Sequence, residues 1–283
     1  MDFDFNVQKI EEAYRHELLS YLNQLFTGVN LPSHDISHHE RVWRYCRSLL
    51  LEINRFGLDV PADLVENAIV ACYFHDTGLT INLGESHGAL GAEICSRYLQ
   101  QKPNFTSFRN KEILTAIEFH DDKSIRTEEN GDALSMLNLT RLVSTADDLD
   151  AFGTIGVFRY IEIYLKRAVA ANELPGRVLT NLQNRYSNFK SAYALLEKFV
   201  DRQECRYYQT FNFFTRLATE VTLGVGSANG PYGVYRVIEN NLVEKGQSIE
   251  DVIDYVNENP ISEYAQSFFN VLKVELNINS TVS

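Results

Sequence analysis

Positive charge, paired cysteines, long apolar runs and strand-like alternation are all scarce in this 283-residue chain, and each shortage closes off a class of protein. Lys and Arg number 26 against 38 Asp and Glu, a net charge of −12. That balance excludes a bulk nucleic-acid binder, which needs a basic surface. An anionic small substrate is compatible with it if a metal reverses the local sign. The four cysteines, Cys46, Cys72, Cys95 and Cys205, form no CxxC pair. Three of them fall in apolar helical stripes, as buried thiols of a reducing compartment do. No run of about 18 apolar residues exists, which excludes a membrane-spanning helix. The N-terminus is acidic and has no signal-peptide pattern, so a cytoplasmic protein is expected. No alternating pattern of strand length, no repeat and no low-complexity tract appears, which leaves an all-α chain. Apolar residues make up 45%, sufficient for a sizeable core in one large domain, or one domain with a helical extension.

What is present is helical periodicity. Val7, Ile10, Tyr14, Leu18, Leu22 and Leu25 follow three-to-four spacing, ended by Gly28 and Asn30-Leu31-Pro32. A histidine-dense turn from Ser33 to His39 leads into a second helix with His38, Val42, Tyr45 and Leu49 on one face; His34 and His39 lie off it. A third helix starts after Pro61 and carries Ala68, Ala71 and Cys72 on one stripe. His75 continues that stripe, and Gly78 is placed to stop the helix. Ser86 reads as the N-cap of a fourth helix, with His87, Leu90, Gly91, Ile94 and Tyr98 inward. Ile113, Ala116, Ile117 and His120 mark a fifth, followed by a polar loop from Asp121 to Asp132. Leu134 to Ala151 forms the next helix, with Leu139, Leu142, Val143 and Ala146 on its buried side. Asp147 and Asp150 fall on or beside that side, and Asp148 faces solvent. Gly153 and Gly156 allow a close turn into a helix from Val157. From Val178 to about Leu223 an aromatic-rich stripe has the spacing of helix packing rather than of a cofactor box. A Gly/Asn/Pro linker, 224 to 233, precedes two or three short helices split at Gly246 and Pro260.

Four of the seven histidines (His38, His75, His87 and His120) fall at a helix end on its apolar stripe. A core histidine is usually satisfied by its neighbours. Four in this position, with Asp76 and Asp147 beside apolar stripes, point to convergence instead. A buried carboxylate without a partner is costly, so something cationic must meet these two. His and carboxylate ligands in this mixture suit zinc, manganese, iron or nickel, and the absence of thiolate ligands argues against a structural zinc site. One site with open positions, or two adjacent sites bridged by Asp76, both fit the residues. Either would polarise a phosphoryl oxygen and lower the pKa of bound water.

These elements in this order resemble the HD-domain metal-dependent phosphohydrolase superfamily. His38, followed by Arg41-Val42, matches the first element with its His-x-x-Arg-Val context. His75-Asp76 with Gly78 matches the His-Asp doublet, and Asp147 within Thr145-Ala146-Asp147-Asp148-Leu149-Asp150-Ala151-Phe152-Gly153 matches the distant aspartate. That last string, with Gly156 and Arg159, is similar to a bacterial branch of unsettled substrate. The resemblance covers about residues 30 to 172.

The resemblance implies an all-α fold, an HD helical core with a C-terminal helical extension. It divides the chain into an N-terminal helix at 1–30, a metal-binding catalytic core at 31–172 and the extension at 173–283. The extension covers the pocket or forms a homodimer interface. His38, His75, Asp76 and Asp147 would bind a first divalent metal, drawn from Mn, Fe, Zn, Ni, Co or Mg. His87 and His120 would bind a second, or else contact a phosphate or move protons. Activity would be hydrolysis of a small phosphorylated substrate, a nucleotide or another phosphomonoester or phosphodiester, by metal-activated water. Asp76 would serve as ligand and as base for the water. Arg41, Lys123 and Arg159 are candidate phosphate clamps. Asp150 reads as a helix-end cap or a partner of Arg159 or Arg41. Two rival readings are a di-iron oxygenase on the same fold and a non-catalytic nucleotide- or metal-binding regulator.

Overall fold

The computed structural model describes residues 3–102, 107–122 and 133–280. Among them there are 12 helices and no strands, the all-α class that the patterning implied. The chain folds into two compact units that interleave along the sequence. The first takes 1–29, 35–149 and 187–201; the second takes 30–34, 150–186 and 202–283. Neither follows a contiguous division at 30 and 172.

The first unit is built around α3 (Ala62–Phe74). Every residue from Asn67 to Phe74 is buried. A helix that is apolar all round must be surrounded by others. Here α1 (Phe3–Leu25), α2 (Ile36–Phe56), α4 (His87–Leu99) and α5 (Ser107–Glu118) pack about it. Each large apolar side chain so buried contributes on the order of 1.5–3 kcal/mol. α2 is closed at both ends. Asp35 caps its start by accepting from the Ser37 backbone N–H at 2.9 Å. Gly57, in the left-handed region at φ 107°, turns the chain out of its end.

Gly78 has a different job from the one its position suggested. α3 already ends at Phe74, and Gly78 lies in a 3-10 turn, Thr77–Thr80. A Cβ on Gly78 would stand 1.9 Å from the His87 carbonyl oxygen. The glycine therefore permits α4 to lie against the end of α3. Ser86 precedes α4 without capping it through its side chain. The helix expected from Leu134 is split into a 3-10 turn, Ala133–Leu137, and α6 (Leu139–Asp150).

The second unit has its own enclosed helix, α7 (Gly153–Lys166), buried without interruption from Gly153 to Ile163. Parts of α8 (Leu174–Ala192) and α9 (Glu197–Thr222) join it, with α10 (Pro231–Val237), α11 (Ile249–Glu258) and α12 (Glu263–Ser280). The breaks at Gly246 and Pro260 fall where expected, on either side of α11. A π-helical turn, Ile238–Glu244, follows α10. The aromatic stripe packs as its spacing implied, with Tyr186 and Tyr207 stacked at 4.0 Å and Phe152 edge-on to Tyr207 at 5.8 Å.

Candidate metal centre

Five stretches of the first unit each bring ligand-type side chains to one place. His38 sits in the first turn of α2, just after its Asp35 cap. His75 and Asp76 follow the last residue of α3. His87 opens α4, His120 comes two residues after α5, and Asp147 lies on α6. All six are buried, at 5% exposure or less.

Backbone carbonyls set the orientation of three rings. His75 Nδ1 donates to Cys72 O at 2.8 Å, His87 Nδ1 to Gly84 O at 2.8 Å, and His120 Nδ1 to Ile117 O at 2.7 Å. A carbonyl can only accept, so each Nδ1 carries a hydrogen and each neutral ring turns a lone pair on Nε2 inward. There the nitrogens and the carboxylate oxygens converge. His38 Nε2 and His75 Nε2 are 3.1 Å apart. Asp76 Oδ2 lies 3.3 Å from His38 Nε2 and 3.5 Å from His75 Nε2. Asp147 Oδ1 lies 3.6 and 3.7 Å from the same two nitrogens. The other oxygen of Asp76, Oδ1, faces His120 Nε2 at 3.1 Å and His87 Nε2 at 3.4 Å. Two groups of donor atoms result, His38-His75-Asp76-Asp147 and Asp76-His87-His120, each with its atoms within 4.8 Å of one another. Asp76 belongs to both.

The electrostatics ask for a cation at the first group. Burial pulls the His75 pKa down, but the Asp76 and Asp147 carboxylates outweigh it and lift it to about 10. Burial would raise Asp76, yet His75, His120 and His38 hold it well below the usual carboxylate range. A proton on His75 thus does in part what a divalent ion does better. Inward imidazole nitrogens and carboxylate oxygens within 4.8 Å of one another, in chemistry free of thiolates, fit a divalent metal. His87 is different: burial, its largest influence, lowers its pKa and favours the neutral ring that a metal would take.

Other residues singled out from sequence lie as follows. Arg41 is buried and donates from Nη1 to Ser37 Oγ at 2.8 Å. In the second unit Arg159 pairs with Asp150 at 3.6 Å, one of the two partnerships expected for that carboxylate. Lys123 lies outside the described residues. Asp148 corrects an expectation: it is 2% exposed, because every residue of α6 from Leu142 to Asp150 is buried and the helix has no solvent face there.

His39 was placed off the inward stripe and is nevertheless fully buried. Its ring lies 5.4 Å from His38 and 5.2 Å from His75, with Phe26 at 5.3 Å. Burial, then His75 and His38, push its pKa well below 6.5, so it backs the ligands as a neutral ring. The signal was present in the sequence: His39, Trp43, Cys46 and Leu50 make a second stripe beside the first. His34 is buried as well, in the second unit, with Nδ1 3.3 Å from Glu162 Oε2.

Residues 35–152, which contain all six of these side chains, match the family model of the HD domain. No curated protein and no solved structure gives a significant match to the chain.

Proposed function

We propose that this chain, residues 35–152 of which match the family model of the HD domain, is a metal-dependent phosphohydrolase that cleaves a small phosphate ester with metal-activated water. The observation that carries this reading is the pair of inward Nε2 atoms, His38 and His75, 3.1 Å apart between two carboxylates. When bound, a divalent ion supplies Lewis acidity toward a phosphoryl oxygen and lowers the pKa of water.

In this reading His38, His75, Asp76 and Asp147 hold the first ion. His87 and His120, with Asp76 Oδ1, hold a second where two are bound. With one ion, Asp76 Oδ1 takes the proton of the attacking water, and His120, 3.1 Å away, receives it in turn. Arg41 is proposed as a cation for the substrate phosphate. Arg159 has a carboxylate partner of its own in Asp150, which makes it the weaker candidate. The same four histidines and two aspartates also suit two irons and oxygen chemistry, which keeps that second reading in view.

The test is to strip the protein of metal, reload it with Mn, Fe, Zn, Ni, Co or Mg in turn, and measure phosphate release from aryl phosphate monoesters and diesters. Hydrolysis with at least one metal, lost in Asp147→Ala, supports the proposal. Oxygen consumption by the iron form without ester hydrolysis would replace it with the oxygenase reading. No helix among the described residues is long and apolar enough to cross a membrane. A cytoplasmic location and a homodimer formed through 173–283 complete the proposal, and sedimentation of the purified chain checks the dimer.

A further inference from the structure

The second unit holds a cavity of about 270 Å³ lined by the start of α7, the C-terminal half of α9 and α12. Its floor is apolar. Phe213 and Phe268, with ring centroids 5.5 Å apart, meet Val157 there. The backbone at its edge is held in place. The buried Thr210 hydroxyl donates to Gly153 O at 2.9 Å, and the Thr154 N–H donates to Glu275 at 2.8 Å. A site fixed in this way binds without first having to order itself. The volume falls just below the range that encloses a drug-sized ligand, so the cavity suits a smaller molecule.

One charged residue lines this cavity, and in a chain of net charge −12 it is an arginine, Arg216. Its guanidinium carbon stands 4.9 Å from the centre of the Tyr264 ring. Stacking on a ring uses the face of the guanidinium, while its N–H donors lie in the plane and stay available at the edge. Glu220, one turn further along α9, is spaced to pair with Arg216. It is engaged elsewhere, with its Oε2 accepting the Tyr232 N–H at 2.8 Å. Among the described residues Arg216 has no carboxylate partner, and its one interaction is with Tyr264. Asn212 and Ser267 line the same cavity, and their side chains make no hydrogen bond among the described residues.

We infer that this cavity is a binding site for a small aromatic carboxylate. The ring of the ligand packs on Phe213 and Phe268, where ring contacts add to the area buried. Its carboxylate takes a pair of parallel N–H bonds from Arg216, the geometry that a guanidinium fork matches. The Asn212 amide and the Ser267 hydroxyl serve the polar edge of the ligand. A neutral ligand of the same shape leaves the guanidinium to water, and a cationic one is repelled by it. No lining residue is a candidate metal ligand, so the site stands apart from the hydrolytic reading.

The experiment follows binding of para-fluorobenzoate and of its neutral amide, para-fluorobenzamide, to the full chain by fluorine NMR. Wild type is expected to bind the acid about tenfold more tightly than the amide, the difference that a charge-assisted contact makes. Arg216→Met should erase that preference and leave the amide affinity as it is. Arg216→Lys should keep part of it, since the charge remains and the fork is lost. Ser267→Trp, which fills the cavity from the exposed face of α12, should abolish binding of both. Thermal melting of each variant confirms that it is folded. Equal affinities in wild type, or no binding of either probe, overturn the inference. So does a preference for the acid that survives in Arg216→Met, because the carboxylate then sits elsewhere, the metal centre included. Binding that persists in Ser267→Trp overturns it as well.

Discussion

Each unit encloses one helix on every side and buries charge beside it, but the two charged clusters are treated differently. At the start of α7, Glu275 accepts from the Thr154 N–H at 2.8 Å, the Ile155 N–H at 3.2 Å and the Thr154 hydroxyl. Its other oxygen meets Arg206, which also donates to Phe152 O at 2.8 Å. Further along α7, Glu162 collects the Ser33 N–H at 2.9 Å and the Ser33 hydroxyl, and Asp150 has Arg159. Those carboxylates meet donors made by the chain. At the end of α3, two histidine Nε2 atoms 3.1 Å apart converge with two carboxylates, which lift the His75 pKa to about 10. A fold that meets buried carboxylates with N–H and guanidinium donors in one unit, and gathers four histidines around two carboxylates in the other, has a place for a cation from outside in the second case.

The sharpest break in this contrast is removal of a ligand. Asp147→Ala and His75→Ala should lower metal affinity by more than about 100-fold, since even outer-sphere partners of a metal are worth 10- to 100-fold. Metal should raise the wild-type melting temperature, because an ion at 100 times its Kd adds about 2.7 kcal/mol. The two variants should show no such rise. Differential scanning calorimetry with and without metal reads both effects. A metal-induced rise that survives in both variants would place the ion elsewhere.

The counterpart in the second unit is Glu275→Ala. It removes the partner of two backbone N–H groups and of Arg206, and should destabilise the fold by about 2 kcal/mol. Metal content should not change, since the acceptors it removes serve the chain alone. Urea unfolding and metal analysis on one sample test the pair of statements. Loss of metal with stability intact would contradict the contrast.

Gly78→Ala probes how the first unit is assembled. Its Cβ would stand 1.9 Å from His87 O and 2.8 Å from Gly91 N, so backbone must move. Overpacking of this kind costs about 1–3 kcal/mol. Because the displaced backbone is that of His87, the Asp76-His87-His120 group should weaken more than the His38-containing group. A second metal lost with the first retained is the expected titration.

The helices were legible because their apolar spacing is local, the four histidines because each heads or ends such a stripe, and Asp76 and Asp147 because carboxylates beside apolar stripes need a cation. What was not legible depends on how many sides of a helix are covered. His39 was set aside because one stripe was drawn on α2, where packing covers two. Asp148 was given a solvent face that α6 lacks from Leu142 to Asp150. Gly78 looked like a helix stop because glycine often is one. Its real constraint is a carbonyl on α4, which no local pattern displays.

The smallest effect expected is one proton. The folded-state pKa of His75 is raised from 6.5 to about 10, so the metal-free protein carries a proton there at neutral pH that the unfolded chain largely does not. The raised pKa stabilises the metal-free fold fully below about pH 6.5, and that contribution is lost as pH climbs through about 10. Over the interval the slope is at most about 1.4 kcal/mol per pH unit. Metal binding needs the neutral ring, so loading at pH 7.5 should expel about one proton from His75. Calorimetric titration in buffers of different ionisation enthalpy counts it. His75→Ala loaded at higher metal concentration should release fewer. In the second unit the corresponding carboxylates are already held by N–H and guanidinium donors, so Glu275→Gln should leave the proton count as it is. An equal count in wild type and His75→Ala would mean that the proton lies on another of the six side chains.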